Sequence, residues 1–208
     1  MSEAVEARVL AVNVGPSVPL SIEAASPPVT VRSAFRKSPV STIEKPAHIE
    51  VRRLGFAGDE QADLSVHGGL DKAVYMFASE HYAWWRDRRR EADAADSERP
   101  LAFGALGENL TTIGLVERDL WVGDRVFIGE VELQVESPRN PCFKLNAVMG
   151  YSRAAKHMLI SGYAGVYLSV ISTGVISAGS SINVLPGRRE VSISTILLRR
   201  RERAYREA

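Results

Sequence analysis

Apolar and polar residues alternate over short stretches of this chain. In "EVELQVES", Val131, Leu133 and Val135 alternate with Glu132, Gln134 and Glu136, the two-residue period of a strand with one face buried. Short β-branched runs separated by turn residues recur as "ARVLAVNVG", "PPVTVRSAF", "AHIEVRRLG", "KAVYMFA", "GDRVFIGEVELQVES", "GVYLSVIS", "SSINVLPG" and "REVSISTILL". Many short strands at such spacing predict a mainly β fold, a closed or nearly closed β-barrel with a few peripheral helices. Two segments break the pattern. "SEHYAWWRDRRREADAADSE" opens with Ser79, an N-cap residue type, before helix-compatible residues. Its later part, rich in Ala, Asp, Glu and Arg, reads as solvated and mobile. "YSRAAKHMLISG" is the second predicted helix, with Gly162 as its stop. The aromatic cluster Tyr82, Trp84 and Trp85 reads as packing of the first helix on the barrel rather than as a base-stacking platform. The expected division is a β domain over residues 1–198 and a charged tail, a solvated or frayed helix, over residues 199–208.

Composition narrows the partners. A chain of 208 residues is long enough to bury a real core. Its 26 Lys+Arg against 25 Asp+Glu leave a net charge of +1, so no global field favours a nucleic acid polymer or a membrane surface. Any anion site must therefore be local. A single cysteine makes no internal disulfide, the N-terminus "MSEAVEARVL" lacks the apolar centre of a signal peptide, and no apolar run reaches membrane-span length. These features predict a cytoplasmic protein.

That cysteine, Cys142, lies in "VESPRNPCFKLN". A lone cysteine is often a small buried hydrophobe, but its neighbours favour chemistry. Pro138 and Pro141 fix φ and withhold donors, which predicts a rigid extended loop. Arg139 and Lys144 place positive charge near the sulfur, favouring a thiolate that serves as nucleophile or soft-metal ligand. A second stretch, "GDEQADLSVHGGLDKAVYMF", sets Asp59, Asp63, His67, Asp71 and Lys72 around Gly68 and Gly69. The glycine pair fits either a plain turn or a ligand loop whose amides receive an anion. In "AFGALGENLTTIG", Glu108 and Asn109 stand where a turn presents polar groups. The histidines His48, His67, His81 and His157 show no zinc-ligand spacing, which sets zinc aside. A Cys142/His67 thiol hydrolase stays open on residue types alone.

Taken in order, "GDEQADLSVHGGLDKAVY", "EHYAWW", "FGALGENL", "GDRVFIG", "SPRNPCFKLN" and "GYAGVYLSV" resemble the MOSC family, named after the C-terminal domain of molybdenum cofactor sulfurases, in its bacterial YiiM-like branch. The resemblance implies a β-barrel of the pyruvate-kinase barrel type and a ligand, the pyranopterin molybdenum cofactor. Carried over, Cys142 becomes the metal ligand and catalytic centre, and Arg139 the group that holds the cofactor's phosphate or pterin. Asn140, His67, Gly68, Gly69, Lys72 and Lys144 become residues lining its pocket. A soft thiolate suits a sulfur-ligated, high-valent metal, and Arg offers a bidentate fork to phosphate. The implied activity is reduction of N-hydroxylated small molecules, with electrons from a separate flavin or iron–sulfur reductase, because the chain shows no dinucleotide fingerprint and lacks the cysteines for a cluster. A non-catalytic carrier of cofactor, or of sulfur as a Cys142 persulfide, is the alternative. The chain departs from the family pattern at its end, where a helical C-terminal domain usually follows, and at Ser180, where the family tends to carry a turn aspartate.

Overall fold

The computed structural model describes residues 6–22, 27–62 and 68–206. Among these residues thirteen strands form: β1 (Arg8–Val14), β2 (Val18–Ile22), β3 (Val29–Ser33), β4 (Ser38–Thr42), β5 (Ile49–Arg52), β6 (Gly55–Phe56), β7 (Val74–Ala78), β8 (Leu110–Ile113), β9 (Arg125–Ile128), β10 (Val131–Pro138), β11 (Val166–Ser172), β12 (Gly174–Ile176) and β13 (Asn183–Leu185). Helices α1 (Tyr82–Glu91), α2 (Phe143–Met149), α3 (Ala154–Ser161) and α4 (Ile193–Arg206) complete the chain. None of them is long and apolar enough to cross a membrane.

Eight strands make one curled sheet in the order β13-β9-β10-β11-β7-β8-β1-β4. The alternation read in β10 is real: Val131, Leu133 and Val135 are fully buried while Glu132, Gln134 and Glu136 are partly exposed. Strand β7 is buried at all five positions because it runs between β11 and β8 with cover on both faces. It pairs with β8 in parallel, and the crossover between them carries α1. Trp85 of that helix is fully buried in the core, as its packing role requires.

Among the described residues the sheet does not close into a continuous ladder. The start of β1 meets the segment before β13 through an isolated antiparallel bridge between Arg8 and Ser181, with Val9 N–H donating to Ser180 O (3.0 Å), Gly179 N–H to Val9 O (2.8 Å) and Ile182 N–H to Ala7 O (2.8 Å). Where a closed or nearly closed barrel of the pyruvate-kinase type is expected, the fold is a mainly β, curled sheet that is not closed. Ser180 takes part through its backbone oxygen, which the side chain at that position does not affect.

Three other expectations change. "REVSISTILL" is not a strand: α4 begins at Ile193, with Ser192 Oγ accepting from Thr195 N–H (3.1 Å). Its inward stripe, Ile193, Leu197 and Arg200, follows the helical period; amphipathic packing overrides β-branched propensity here. Ser79 does not cap α1 but opens a 3-10 turn, Ser79–His81, ahead of it. The extended loop around Cys142 stops at that residue, because α2 starts at Phe143. Beyond Glu91 the chain turns back, burying Ala94 and pairing Arg90 with Glu98.

Candidate functional site

Cys142 and Arg139 share one pocket with Lys72 and Lys144, all four assigned to the site from sequence. Three connections build its walls: the link from β3 to β4, the turn after β6 at Asp59–Ala62, and the segment from β10 to α2. Tyr75 of β7, Asn109 and Tyr167 complete it. Among the described residues four cations, Lys37, Lys72, Arg139 and Lys144, line the pocket with two carboxylates, Asp59 and Glu60.

Arg139 is the most constrained of these groups. It is 7% exposed, and its guanidinium lies between the ring faces of Phe35 (4.3 Å) and Tyr75 (4.6 Å). Its Nη1 donates to Leu106 O. Among the described residues no carboxylate pairs with it by ion-pair distance. Two aromatic faces and a carbonyl are therefore what compensate its burial. Its backbone is fixed as well: Arg139 N–H donates to Gly165 O (3.2 Å), and Gly165 N–H donates to Glu117 Oε1 (2.7 Å). Glu117 Oε2 in turn meets His81 Nε2 at 2.7 Å. Burial acts to raise the Glu117 carboxyl, but His81 and the Gly165 amide outweigh it and hold the group below the usual carboxylate range.

Lys37 is the cation that sequence reasoning missed. Its side chain is 6% exposed and pairs with Asp59, itself 7% exposed. Asp59 also accepts from Gly15 N–H (2.9 Å) and Asn109 Nδ2 (2.8 Å). Burial lowers the Lys37 pKa, against the raising effect of Asp59. Asn109 stitches three strands at this point: its Oδ1 accepts from Tyr75 N–H, and its backbone bonds Tyr75 O and Asn13 N–H. The sequence motif "FGALGENL" contained Asn109, but nothing local marked Lys37.

Glu108 turns away from the pocket. Fully buried, it accepts from Gly104 N–H, Leu106 N–H and Thr111 Oγ1 at 2.9–3.0 Å and from Tyr82 OH. Burial raises its carboxyl pKa, with those donors opposing the shift. Its role is to hold the glycine-rich turn that carries Asn109. The remaining assigned residues do not converge. Asn140 is exposed and does not line the pocket. Neither do Gly68 and Gly69, and the Gly69 amide is taken by Gln61 Oε1 (2.8 Å). His67, like Asp63, lies outside the described residues.

A pocket built on a cysteine loop against a curled β sheet defines the class of this protein, and comparison with known proteins agrees. The family model of the MOSC domain matches residues 63–183. The chain is 36% identical over 169 residues to Bacillus subtilis YflK, spanning 80% of this chain and 73% of that protein. The crystal structure of YiiM from Geobacillus stearothermophilus superposes with a TM-score of 0.67 at 30% identity, covering 95% of this chain and 85% of the other. A protein named a reductase from Gibberella moniliformis is 39% identical over 133 residues, which is 63% of this chain but 22% of that protein. The chain belongs to the MOSC domain family, among its YiiM-like members.

Proposed function

We propose that this protein binds the pyranopterin molybdenum cofactor through Cys142 and reduces N-hydroxylated small molecules with electrons from a separate reductase. The observation that carries this reading is the meeting of a partly exposed thiol with a buried guanidinium that has no carboxylate partner among the described residues. The donor set fits the group: a soft sulfur for the metal and a surplus of cations for phosphate. The enclosed part of the pocket, ≈ 90 Å³, is below the roughly 300 Å³ of ordinary small-molecule sites. A pocket of that size would take only one end of the cofactor.

When bound, the cofactor supplies two-electron oxygen-atom chemistry. The balance is one N–OH plus two electrons and two protons giving N–H and water, with the N–O bond broken. The chain's own groups orient and compensate. Cys142 would supply the sulfur ligand, Arg139 and the lysines would hold the anionic end, and Phe35 and Tyr75 fix the orientation of the guanidinium plane and shield it from water. Asp59, fixed by Gly15 and Asn109, aims the Lys37 ammonium into the same space.

The test is molybdenum and pterin content in protein from cofactor-producing cells. Cys142→Ser exchanges a soft ligand for a hard, poorly ionised hydroxyl and should lose molybdenum while the unfolding midpoint stays put. Unchanged molybdenum in that variant would refute the ligand assignment. Loaded wild-type protein should reduce an N-hydroxylated purine with an artificial low-potential donor and be inactive with NADH alone. Loaded protein that never turns over would instead support a carrier.

A further inference from the structure

We propose that the exposed face of α4, with the groove beside it, is the docking surface for an acidic electron-carrier protein. This rests on the redox reading above and names the partner's chemistry. Five arginines and one glutamate fall within residues 199–206, in a chain whose net charge is only +1. Arg199, Arg201, Arg203 and Arg206 are exposed. The arginines of α1 make the useful contrast. Arg88 pairs with Glu91, Arg90 with Glu98, and Arg89 donates to the carbonyls of Met149 and Ala95. Among the described residues no ion pair joins Arg199 or Arg201. The arginines Arg88, Arg89 and Arg90 of one helix are engaged within the fold, whereas Arg199 and Arg201 of the other present their charge outward.

Beside α4 runs a groove of ≈ 770 Å³, lined by Leu159 and Ile160 of α3 and by Leu197, Leu198 and Arg201 of α4. Leu198 is 45% exposed and Tyr205 is 60% exposed. The trough mixes apolar side chains with Arg118, Arg201 and the carboxylates of Glu80, Glu117 and Asp119, so the positive charge that suits a partner bringing carboxylates lies on the exposed α4 face at Arg199 and Arg201, in the small, charge-steered manner of electron-transfer encounters. A polyanion such as nucleic acid or an anionic membrane fits less well, because a chain with a net charge of only +1 offers it no extended basic surface.

The face is tied to the cofactor segment. On the inward side of the same helix, Arg200 Nη1 donates to Pro138 O (3.0 Å) and Arg139 O (3.2 Å). A carrier seated on α4 therefore sits behind the stretch that presents Arg139 and Cys142. One-electron iron–sulfur carriers seated there in two successive encounters, or a flavin carrier giving up two electrons, supply the pair that with two protons turns N–OH into N–H and water.

The experiment titrates a purified acidic flavodoxin and, separately, a plant-type ferredoxin into isotope-labelled protein. Binding should perturb α4 amides and weaken at least about tenfold on raising salt from roughly 20 to 200 mM. Arg199→Glu/Arg201→Glu should weaken it similarly. Carrier-driven turnover should fall with it while turnover with the artificial donor is unchanged. The proposal is overturned if neither carrier binds, if the double variant binds as well as wild type, if a DNA duplex or anionic vesicles bind α4 more tightly, or if the face is consumed by self-association. Binding that persists in protein without turnover from any donor would leave the docking face standing and remove the redox reading.

Discussion

Replacing Arg139 with Met separates what this residue does for the fold from what it does for a ligand. Methionine is shorter but flexible and polarizable, fills part of the space between the two rings and removes the charge. The terms lost can be sized from the geometry. Each desolvated cation–π contact, at 4.3 and 4.6 Å, contributes about 2 kcal/mol. The charged hydrogen bond to Leu106 O contributes about 2 kcal/mol more. Against this total of roughly 6 kcal/mol stands the several kcal/mol needed to take a guanidinium out of water without an opposing carboxylate. Sulfur–aromatic contacts of about 1 kcal/mol recover part of the loss. Arg139→Met should therefore change the stability of the ligand-free protein by less than about 2 kcal/mol, measured by urea unfolding. Pterin retained per chain after gel filtration should fall, with affinity down about ten- to a hundredfold for one charge-assisted contact. Arg139→Lys, which keeps charge without the planar fork, should fall between. Destabilisation above about 3 kcal/mol with pterin retention unchanged would refute the reasoning and make Arg139 a structural residue.

Two further substitutions probe the scaffold behind the site. At Gly165, φ is +65° and a Cβ would come within 2.4 Å of Met76 O and 2.8 Å of Tyr75, so Gly165→Ala should cost about 3 kcal/mol or more; an unfolding midpoint near wild type would show that β7 yields freely. Glu117 has a lowered folded pKa, so its contribution is present above the unfolded value of about 4.3 and is lost as pH falls through the folded value. Glu117→Gln should therefore be less stable than wild type near neutrality and converge with it on acidification. A stability difference that stays constant between about pH 7 and pH 3 would contradict the shift.

The sequence was informative where physics is local. The period-two pattern of β10, the Gly162 helix stop and the buried Trp85 could all be read from neighbours, and Gly162 does adopt the left-handed C-cap. At 193–198 local propensity misled, because the packing of Leu197 and the cap from Ser192 decided the element. The site divides along the same line. Cys142, Arg139 and Lys144 are marked by charge and proline close in sequence, and Lys72 by the glycine pair shortly before it. Lys37 enters only through Asp59, 22 residues away, and Asp59 is placed by Gly15 and Asn109. Glu108 looked like a ligand-presenting group because burial is invisible in a glycine-rich motif.

Strand β1 has a consequence for how the molecule is made. It pairs with β4 and with β8, and its start is bridged to Ser181; Asn13 also donates to Thr111, 98 residues away. β1 can thus pair with β4 early in synthesis, but β8 and Ser181 follow only much later in the chain. Until residue 181 has appeared, Val9, Ala11 and Val12, which end fully buried, have no complete surface to pack on. Such late, non-local closure slows folding and lengthens the time an apolar edge stands open to other chains. That exposure is decided at β1, far in sequence from the cysteine loop that the finished fold serves.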